Sequence, residues 1–191
     1  MTRICLAYLD DVIVYSRDHS QHLRDLRAVF ERLRVAGLKL KPFKCQLFKD
    51  EVLYLGHVIN ADGVSPDPAK LRVLSTWPVP KTVCDLQSFL GFINFYGEFI
   101  RNSTYFTAPL YNLTVGKGTD IVSLNADELA AYRSLKSALC SGPQLSHADH
   151  SKQFVVHTNA SKFAFGAVLY QRSDDGIEHQ NSLFYKKLLY P

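Results

Sequence analysis

Two adjacent aspartates interrupt an apolar stretch near the start of the sequence, which reads AYLDDVIVYS over residues 7–16. The flanking runs ICLAYL and VIVYS are rich in β-branched and aromatic residues. We therefore expect two strands of a hairpin, with Asp10 and Asp11 at its tip.

Two explanations of this aspartate pair remain open. Aspartates are ordinary turn residues, so Asp10 and Asp11 need only close the hairpin. Two-residue hairpin turns prefer Asn-Gly or Asp-Gly, however, and two neighbouring carboxylates repel each other. A divalent cation relieves that repulsion. Mg²⁺ binds one or two carboxylates together with substrate phosphates, which makes the pair a candidate magnesium site for phosphoryl transfer.

Composition excludes several classes of protein. The chain has 191 residues and is 47% hydrophobic, which is enough to bury a core. Its four cysteines are far apart and form no C-x-x-C pair, as in proteins of reducing compartments. We find no apolar run of about 18 residues and no signal peptide. We therefore expect no membrane partner and an intracellular protein, cytoplasmic or nuclear, that is not secreted.

Positive charge is concentrated in the first quarter of the chain. Residues 1–49 carry ten Lys and Arg against five Asp and Glu, whereas the rest carries twelve against thirteen. A basic region favours an anionic partner such as nucleic acid, although a solvated helix face has the same composition.

The spacing of apolar residues and the turn residues predict the elements that follow. A helix begins after Ser20 as N-cap and ends at Gly37, and the runs CQLF and VLYLGHVI form a second hairpin. Asp67 and Pro68 open a short helix that Pro78 stops.

Two further helices carry capping-box spacing, Thr82 with Asp85 and Asn125 with Glu128. The segment TAPLYNLT adds one helical turn. Strands then follow over QFVVHTNAS, GAVLYQ and EHQNSLFY.

These motifs, taken in order, resemble the polymerase region of gypsy-type LTR retrotransposon Pol polyproteins. YLDD resembles the Tyr-x-Asp-Asp motif of reverse transcriptases. The other recognisable pieces are VFERLRVAGLKL, KC at 44–45, YLGHVI, GVSPDPAK, WPVPKT, SFLGFINFY, PLYNLT, LKSALCSGPQL and FVVHTNASKFAFGAVLYQ. Together they cover nearly the whole chain in the family's order.

The resemblance implies an α+β fold with four regions. The C-terminal part of a reverse transcriptase palm, a β-hairpin plus helix, occupies residues 1–62. A helical thumb follows at 63–115 and a connection at 116–150. Residues 151–191 are the truncated start of an RNase H-like domain with a mixed sheet. The helix after Thr82 is rich in aromatic residues. We interpret them as the packed core of the thumb and not as side chains that stack on nucleic-acid bases.

The resemblance also implies roles for individual residues. Asp10 and Asp11 are the catalytic, Mg²⁺-binding carboxylates, in a two-metal site that is incomplete here. Tyr8 and Leu9 lie beside the primer end and the nucleotide. The partners are an RNA–DNA or DNA duplex, dNTPs and the rest of the Pol polyprotein.

Three lysines downstream are weaker candidates for nucleic-acid contacts. Lys39, Lys41 and Lys44 alternate with apolar residues and suit the backbone of a template–primer. A solvated hairpin edge accounts for them equally well.

The tail departs from the family pattern at one position. Members of the family read Thr-Asp-Ala-Ser where this chain has Asn159, and that aspartate is the first metal ligand of the RNase H site. A neutral amide is a weaker ligand for Mg²⁺. We therefore expect no RNase H activity.

Three hypotheses of function follow from the resemblance. The chain is a piece of an RNA-directed DNA polymerase, a nucleic-acid-binding module without chemistry, or a non-functional remnant. Because the family's fingers and a further palm aspartate lie upstream of Tyr8, we expect no polymerisation by this chain alone.

Overall fold

The computed structural model describes residues 4–160, 164–173 and 175–187, and the chain divides into two compact units, Met1–Gly56 and His57–Pro191. In the first unit, strands β1 (Cys5–Tyr8) and β2 (Asp11–Val14) pair antiparallel, with Cys5 opposite Val14 and Tyr8 opposite Asp11. The hairpin predicted from the sequence is therefore confirmed.

Helix α1 (His19–Val35) follows the hairpin. Its N-cap is Asp18, whose carboxylate accepts a hydrogen bond of 2.8 Å from the backbone N–H of Gln21. The predicted cap at Ser20 is wrong because Ser20 already lies in the first turn. Asp18 is placed to satisfy the third helical N–H, which is the usual geometry of a cap.

A buried carboxylate joins α1 to the loop that follows β2. Asp25 is 6% exposed and accepts hydrogen bonds from the Ser16 hydroxyl (2.6 Å) and from the Gln21 amide (2.7 Å). The Ser16 bond, more than any other contact, holds the pKa of Asp25 below its ordinary value. Leu26 and Val29 are buried on the same helix.

The segment after α1 contains a 3₁₀ turn, Pro42–Lys44, before strand β3 (Val52–Tyr54). The strand predicted over CQLF, residues 45–48, is absent from this part of the described chain. Phe48 has a φ of +53°, which breaks an extended chain, and its ring stacks on His19 at 4.9 Å. A side-chain contact with α1 thus replaces strand pairing here.

The second unit begins with strands β4 (His57–Ile59) and β5 (Val64–Pro66), which pair antiparallel. The turn between them is fixed by Asn60, whose side-chain oxygen accepts from the N–H of Gly63. Gly63 has a φ of +153°, and a Cβ there would lie 2.1 Å from the carbonyl oxygen of Leu145. Val64 and Leu145 exchange two backbone hydrogen bonds of 2.8 Å, so this close approach requires glycine.

Four helices form the core of the second unit: α2 (Pro68–Thr76), α3 (Val83–Phe95), α4 (Ser103–Asn112) and α5 (Ala126–Cys140). Both capping boxes predicted from the sequence are present, at α3 and at α5. Asp67 caps α2 as expected. The single turn predicted over TAPLYNLT is part of a longer helix, α4.

The helices pack around large apolar side chains, several of which are fully buried: Leu74, Leu86, Phe89, Ile93, Leu110, Leu135 and Leu139. Tyr132 lies in this core against Phe89, with ring centroids 4.4 Å apart. Its hydroxyl donates to the backbone oxygens of Trp77 (3.1 Å) and Pro78 (2.9 Å). Burial raises the pKa of Tyr132 above its ordinary value.

Three antiparallel strands follow the helices: β6 (Phe154–Ala160), β7 (Ala164–Arg172) and β8 (Glu178–Lys187), paired in sequence order. They match the three strands predicted from the sequence. An irregularity in the β7–β8 register lies between Leu169 and Tyr170. Arg101, which precedes α4, donates a hydrogen bond to the Tyr170 hydroxyl and connects the helical part to the sheet.

Among the described residues, none of the helices combines the length and apolar character that crossing a membrane requires.

Candidate functional site

The first hairpin turns through two residues, Leu9 and Asp10, between the paired residues Tyr8 and Asp11. Asp10 is therefore in the turn, as predicted, whereas the prediction that Asp11 also lies in the turn is wrong, because Asp11 pairs with Tyr8 as the first residue of β2. Leu9 has a φ of +51°. Hairpin turns place glycine at such positions, and a leucine there costs on the order of 1–3 kcal/mol. Strain of this kind is concentrated at functional sites.

Both carboxylates of the hairpin are exposed. Within the described residues, neither Asp10 nor Asp11 takes part in a side-chain hydrogen bond or ion pair that neutralises it. Two adjacent carboxylates at a tight turn fit the oxygen-rich, partly hydrated coordination of Mg²⁺. No cluster of three or more His, Cys, Asp or Glu suited to a metal occurs in the described part of the chain, so the hairpin offers two carboxylates and not a complete metal site.

Tyr8 and Leu9 flank the carboxylates with exposed side chains, at 58% and 89% exposure. Neither side chain contributes to the buried core of its unit. Both are therefore accessible to a molecule that approaches the end of the hairpin.

Lys39, Lys41 and Lys44 are all exposed and lie between α1 and β3, in the same unit as the hairpin. The segment that carries them is not the hairpin edge considered from the sequence. It is an irregular stretch with one 3₁₀ turn.

A second exposed surface, which the sequence reasoning missed, lies on α3. Gln87, Gly91 and Phe95 follow one another at intervals of four residues and are all exposed. Phe95 is 55% exposed, although its neighbours Phe89, Tyr96 and Phe99 are buried as expected. The available signal was a glycine in the middle of a capped helix, where it costs roughly 1 kcal/mol relative to alanine.

Gly91 has no internal structural reason to be glycine. Its φ is not positive, and a Cβ added to it would meet nothing within 4 Å. The polar Gln87 and the exposed ring of Phe95 lie on either side of this bare stretch of backbone. We call these three residues the α3 stripe.

Two family models match the chain. The model described as reverse transcriptase (RNA-dependent DNA polymerase) matches residues 2–59, and the RNase H-like domain found in reverse transcriptase matches residues 124–189. The Pol polyprotein of transposon 297 from Drosophila melanogaster is 35% identical over 171 residues, and that of transposon opus is 36% identical over 178. The chain belongs to the family of gypsy-type retrotransposon Pol polyproteins.

The matched part of these Pol polyproteins is short. The alignments cover 90% and 88% of this chain but only 16% and 18% of the two Drosophila proteins. A more distant Pol relative, the transposon Tf2-3 polyprotein of Schizosaccharomyces pombe, is 32% identical over 170 residues, 89% of this chain and 13% of its own length.

Solved structures of viral reverse transcriptases share the fold of this chain and confirm the α+β reverse transcriptase fold. The foamy viral protease-reverse transcriptase in complex with double-stranded DNA has a TM-score of 0.80 and 27% identity, and the match covers 96% of this chain and 32% of that one. The same viral protein in complex with an RNA/DNA hybrid also has a TM-score of 0.80, with 26% identity over 97% of this chain and 25% of that chain.

Families of reverse transcriptases and RNase H-like domains typically use divalent metals. In this Pol segment the RNase H-like match includes Asn159, which lies on β6 opposite Gly166. The backbone of Asn159 belongs to the described chain, whereas its side chain lies outside the described residues. The four region boundaries that we predicted from the sequence remain predictions.

Proposed function

We propose that this chain is part of an RNA-directed DNA polymerase and supplies two of its working parts, a metal-binding hairpin and a helix that contacts the template–primer duplex. The observation that carries the proposal is the first hairpin. Its turn holds Leu9 in a strained conformation, and it presents two exposed, adjacent carboxylates within the region that matches reverse transcriptases.

Asp10 and Asp11 would hold Mg²⁺ through their carboxylate oxygens. The ion, when bound, would neutralise charge on the phosphate oxygens of the incoming nucleotide and polarise the reacting groups. The reaction joins the primer 3′ oxygen to the α-phosphorus of a dNTP; the 3′ hydroxyl gives its proton to solvent, and pyrophosphate leaves with the electrons of the broken P–O bond. Exposed Tyr8 and Leu9 would position the primer end and the nucleotide beside the carboxylates.

Mn²⁺ binding, counted by electron paramagnetic resonance, tests the hairpin. The Asp10→Asn/Asp11→Asn variant should lose the tightest Mn²⁺ site, because both charges of the pair are removed. A matched control, Asp62→Asn/Asp127→Asn, removes the same charge from two exposed aspartates elsewhere and should keep that site. Equal Mn²⁺ binding by the two variants would refute the metal role of the hairpin.

The α3 stripe supports the second part of the proposal. A bare glycine backbone between an amide and an exposed aromatic ring suits the close approach of a sugar–phosphate backbone, to which Gln87 and Phe95 add polar and apolar contacts. Related viral enzymes were solved with double-stranded DNA and with an RNA/DNA hybrid. Duplex binding without a metal site would instead favour the alternative of a non-catalytic nucleic-acid-binding module.

Lys39, Lys41 and Lys44 extend this proposal to the first unit, where they would contact nucleic-acid phosphates. Each phosphate that a lysine neutralises contributes to the dependence of affinity on salt. Removal of the three lysines should therefore make that dependence less steep.

Asn159 supports the absence of RNase H cleavage. We propose that the RNase H-like region of this chain binds or positions nucleic acid without hydrolysing it, because the amide is a poor substitute for a carboxylate ligand. Incubation with an RNA/DNA hybrid and Mg²⁺ should leave the RNA intact. Cleavage of the RNA by the purified chain, lost on Asn159→Ala, would show the opposite.

A further inference from the structure

One stretch of the first unit contains several basic residues and no acidic residue of its own. Residues 32–49 contain six basic residues and no aspartate or glutamate. We call this stretch the basic segment; its basic residues are Arg32, Arg34, Lys39, Lys41, Lys44 and Lys49. Every residue from 34 to 49 is exposed. Only Arg34 has its charge paired in the described structure, with Glu31 at 2.8 Å. Such a surface attracts polyanions.

Phe43 is placed at the centre of the basic segment and is 83% exposed. A phenylalanine in water forgoes the stabilisation that burial of its ring would bring. Phe48 in the same segment shows the contrast, since its ring stacks on His19 at 4.9 Å. Exposure of the Phe43 ring is therefore specific to this residue and is not shared by every aromatic side chain of the basic segment.

The backbone around Phe43 forms hydrogen bonds of its own. It forms a 3₁₀ turn in which the N–H of Lys44 donates to the carbonyl of Lys41 (2.9 Å) and the N–H of Cys45 to that of Pro42 (3.0 Å). The ring of Pro42 restricts the backbone further. The turn thus carries an exposed aromatic side chain, Phe43, with the exposed Lys41 and Lys44 close on either side of it in the sequence.

We propose that the basic segment binds single-stranded nucleic acid, with a base stacked on Phe43 and the flanking lysines on the adjacent phosphates. An aromatic ring beside a track of cations is the arrangement that binds single strands without sequence preference, because every base has a π-face. In a duplex both faces of an internal base are already stacked, so the free face of Phe43 selects an unpaired base. This inference deepens the role proposed above for Lys39, Lys41 and Lys44 and rests on it.

Fluorescence anisotropy with a labelled dT₁₂ oligonucleotide and with a labelled 12-base-pair duplex tests the inference on the full chain. Phe43→Ala should weaken dT₁₂ binding by between about fivefold and about 150-fold, which is the range for one stacked base. Duplex binding should stay within about twofold. Phe43→Trp should keep or restore the affinity for dT₁₂, because it retains a stacking surface. Tyr105→Ala, which removes an aromatic side chain that is equally exposed but outside the basic segment, is the matched control and should leave dT₁₂ binding unchanged.

Lys39→Ala/Lys41→Ala/Lys44→Ala should lower the slope of log affinity for dT₁₂ against log salt by about two, at roughly 0.7 for each phosphate contact. If Phe43→Ala leaves dT₁₂ binding unchanged while the triple variant lowers the slope, the stacking inference is overturned and the phosphate role of the lysines stands. If neither changes, both are overturned. Circular dichroism of each variant confirms folding, which truncation of exposed side chains should not alter.

Discussion

Gly91→Ala should raise the stability of the free chain and lower its affinity for a nucleic-acid duplex. Both effects come from the one added methyl group. The position is interior to α3, its φ is helical, and the added Cβ meets nothing within 4 Å. Replacing a mid-helix glycine with alanine should therefore stabilise the second unit by about 0.5–1 kcal/mol. For a chain of this size, that corresponds to a rise in melting temperature of roughly 1–4 °C.

The loss of affinity arises only when the chain binds a duplex. If a duplex backbone packs against the bare Cα of Gly91, a methyl group there overfills the contact, and overpacking costs typically about 1–3 kcal/mol. Duplex affinity should then fall by between about fivefold and about 150-fold. Calorimetry of the free chain measures the first effect, and anisotropy of a labelled RNA/DNA hybrid measures the second.

Ser134→Ala on α5 is the matched control. Ser134 is an exposed residue in the middle of another helix, so alanine should add a smaller stabilisation there without any change in duplex affinity. If Gly91→Ala stabilises the chain and duplex affinity stays the same, the α3 stripe does not contact nucleic acid and the reasoning is refuted.

Three further predictions concern the two units. Gly63→Ala should destabilise the second unit by roughly 2–6 kcal/mol, because alanine disfavours this φ and its Cβ clashes with the Leu145 carbonyl. Urea unfolding measures the loss. A loss of stability below about 1 kcal/mol would contradict the close approach of the two chain segments. Tyr132→Phe should cost about 1 kcal/mol, because its hydroxyl no longer donates to two backbone carbonyls, and unchanged stability would show that water replaces these bonds. The Ser16 bond lowers the pKa of Asp25, so the stabilisation it brings is present above the ordinary carboxyl pKa of about 3.9 and is lost as the pH falls through the lower folded value. Ser16→Ala should raise that pKa in a ¹³C-carboxyl NMR titration, and an unchanged Asp25 pKa would assign the shift to another contact.

Features that depend on short-range chemistry could be predicted from the sequence. The capping boxes at Thr82–Asp85 and Asn125–Glu128 are read directly from their spacing, because the bonds join residues three apart. The first hairpin follows in the same way from two β-rich runs and a two-residue turn. At the start of α1, the side chains of Asp18 and Ser20 can both accept the hydrogen bond of an N-cap. Only the backbone geometry shows that Asp18 is the cap.

Features that depend on contacts between distant residues could not be predicted. The run CQLF is mostly apolar, as a short strand can be, but the ring of Phe48 packs on His19, nearly thirty residues earlier in the chain. The buried carboxylate of Asp25 was missed for the same reason, since its partner Ser16 lies in the loop before α1, nine residues earlier in the chain. The exposure of Phe95 was hidden because α3 is apolar on most of its circumference, so periodicity did not separate its buried and exposed faces.

The location of a bound metal ion tests the central claim most directly. A ¹⁵N-labelled chain titrated with substoichiometric Mn²⁺ should show paramagnetic broadening first in the backbone resonances of Tyr8 to Val12, around Asp10 and Asp11, and Mg²⁺ should reverse it. Broadening that is centred on another acidic region, or that survives Asp10→Asn/Asp11→Asn at the hairpin, would contradict the assignment of the metal site.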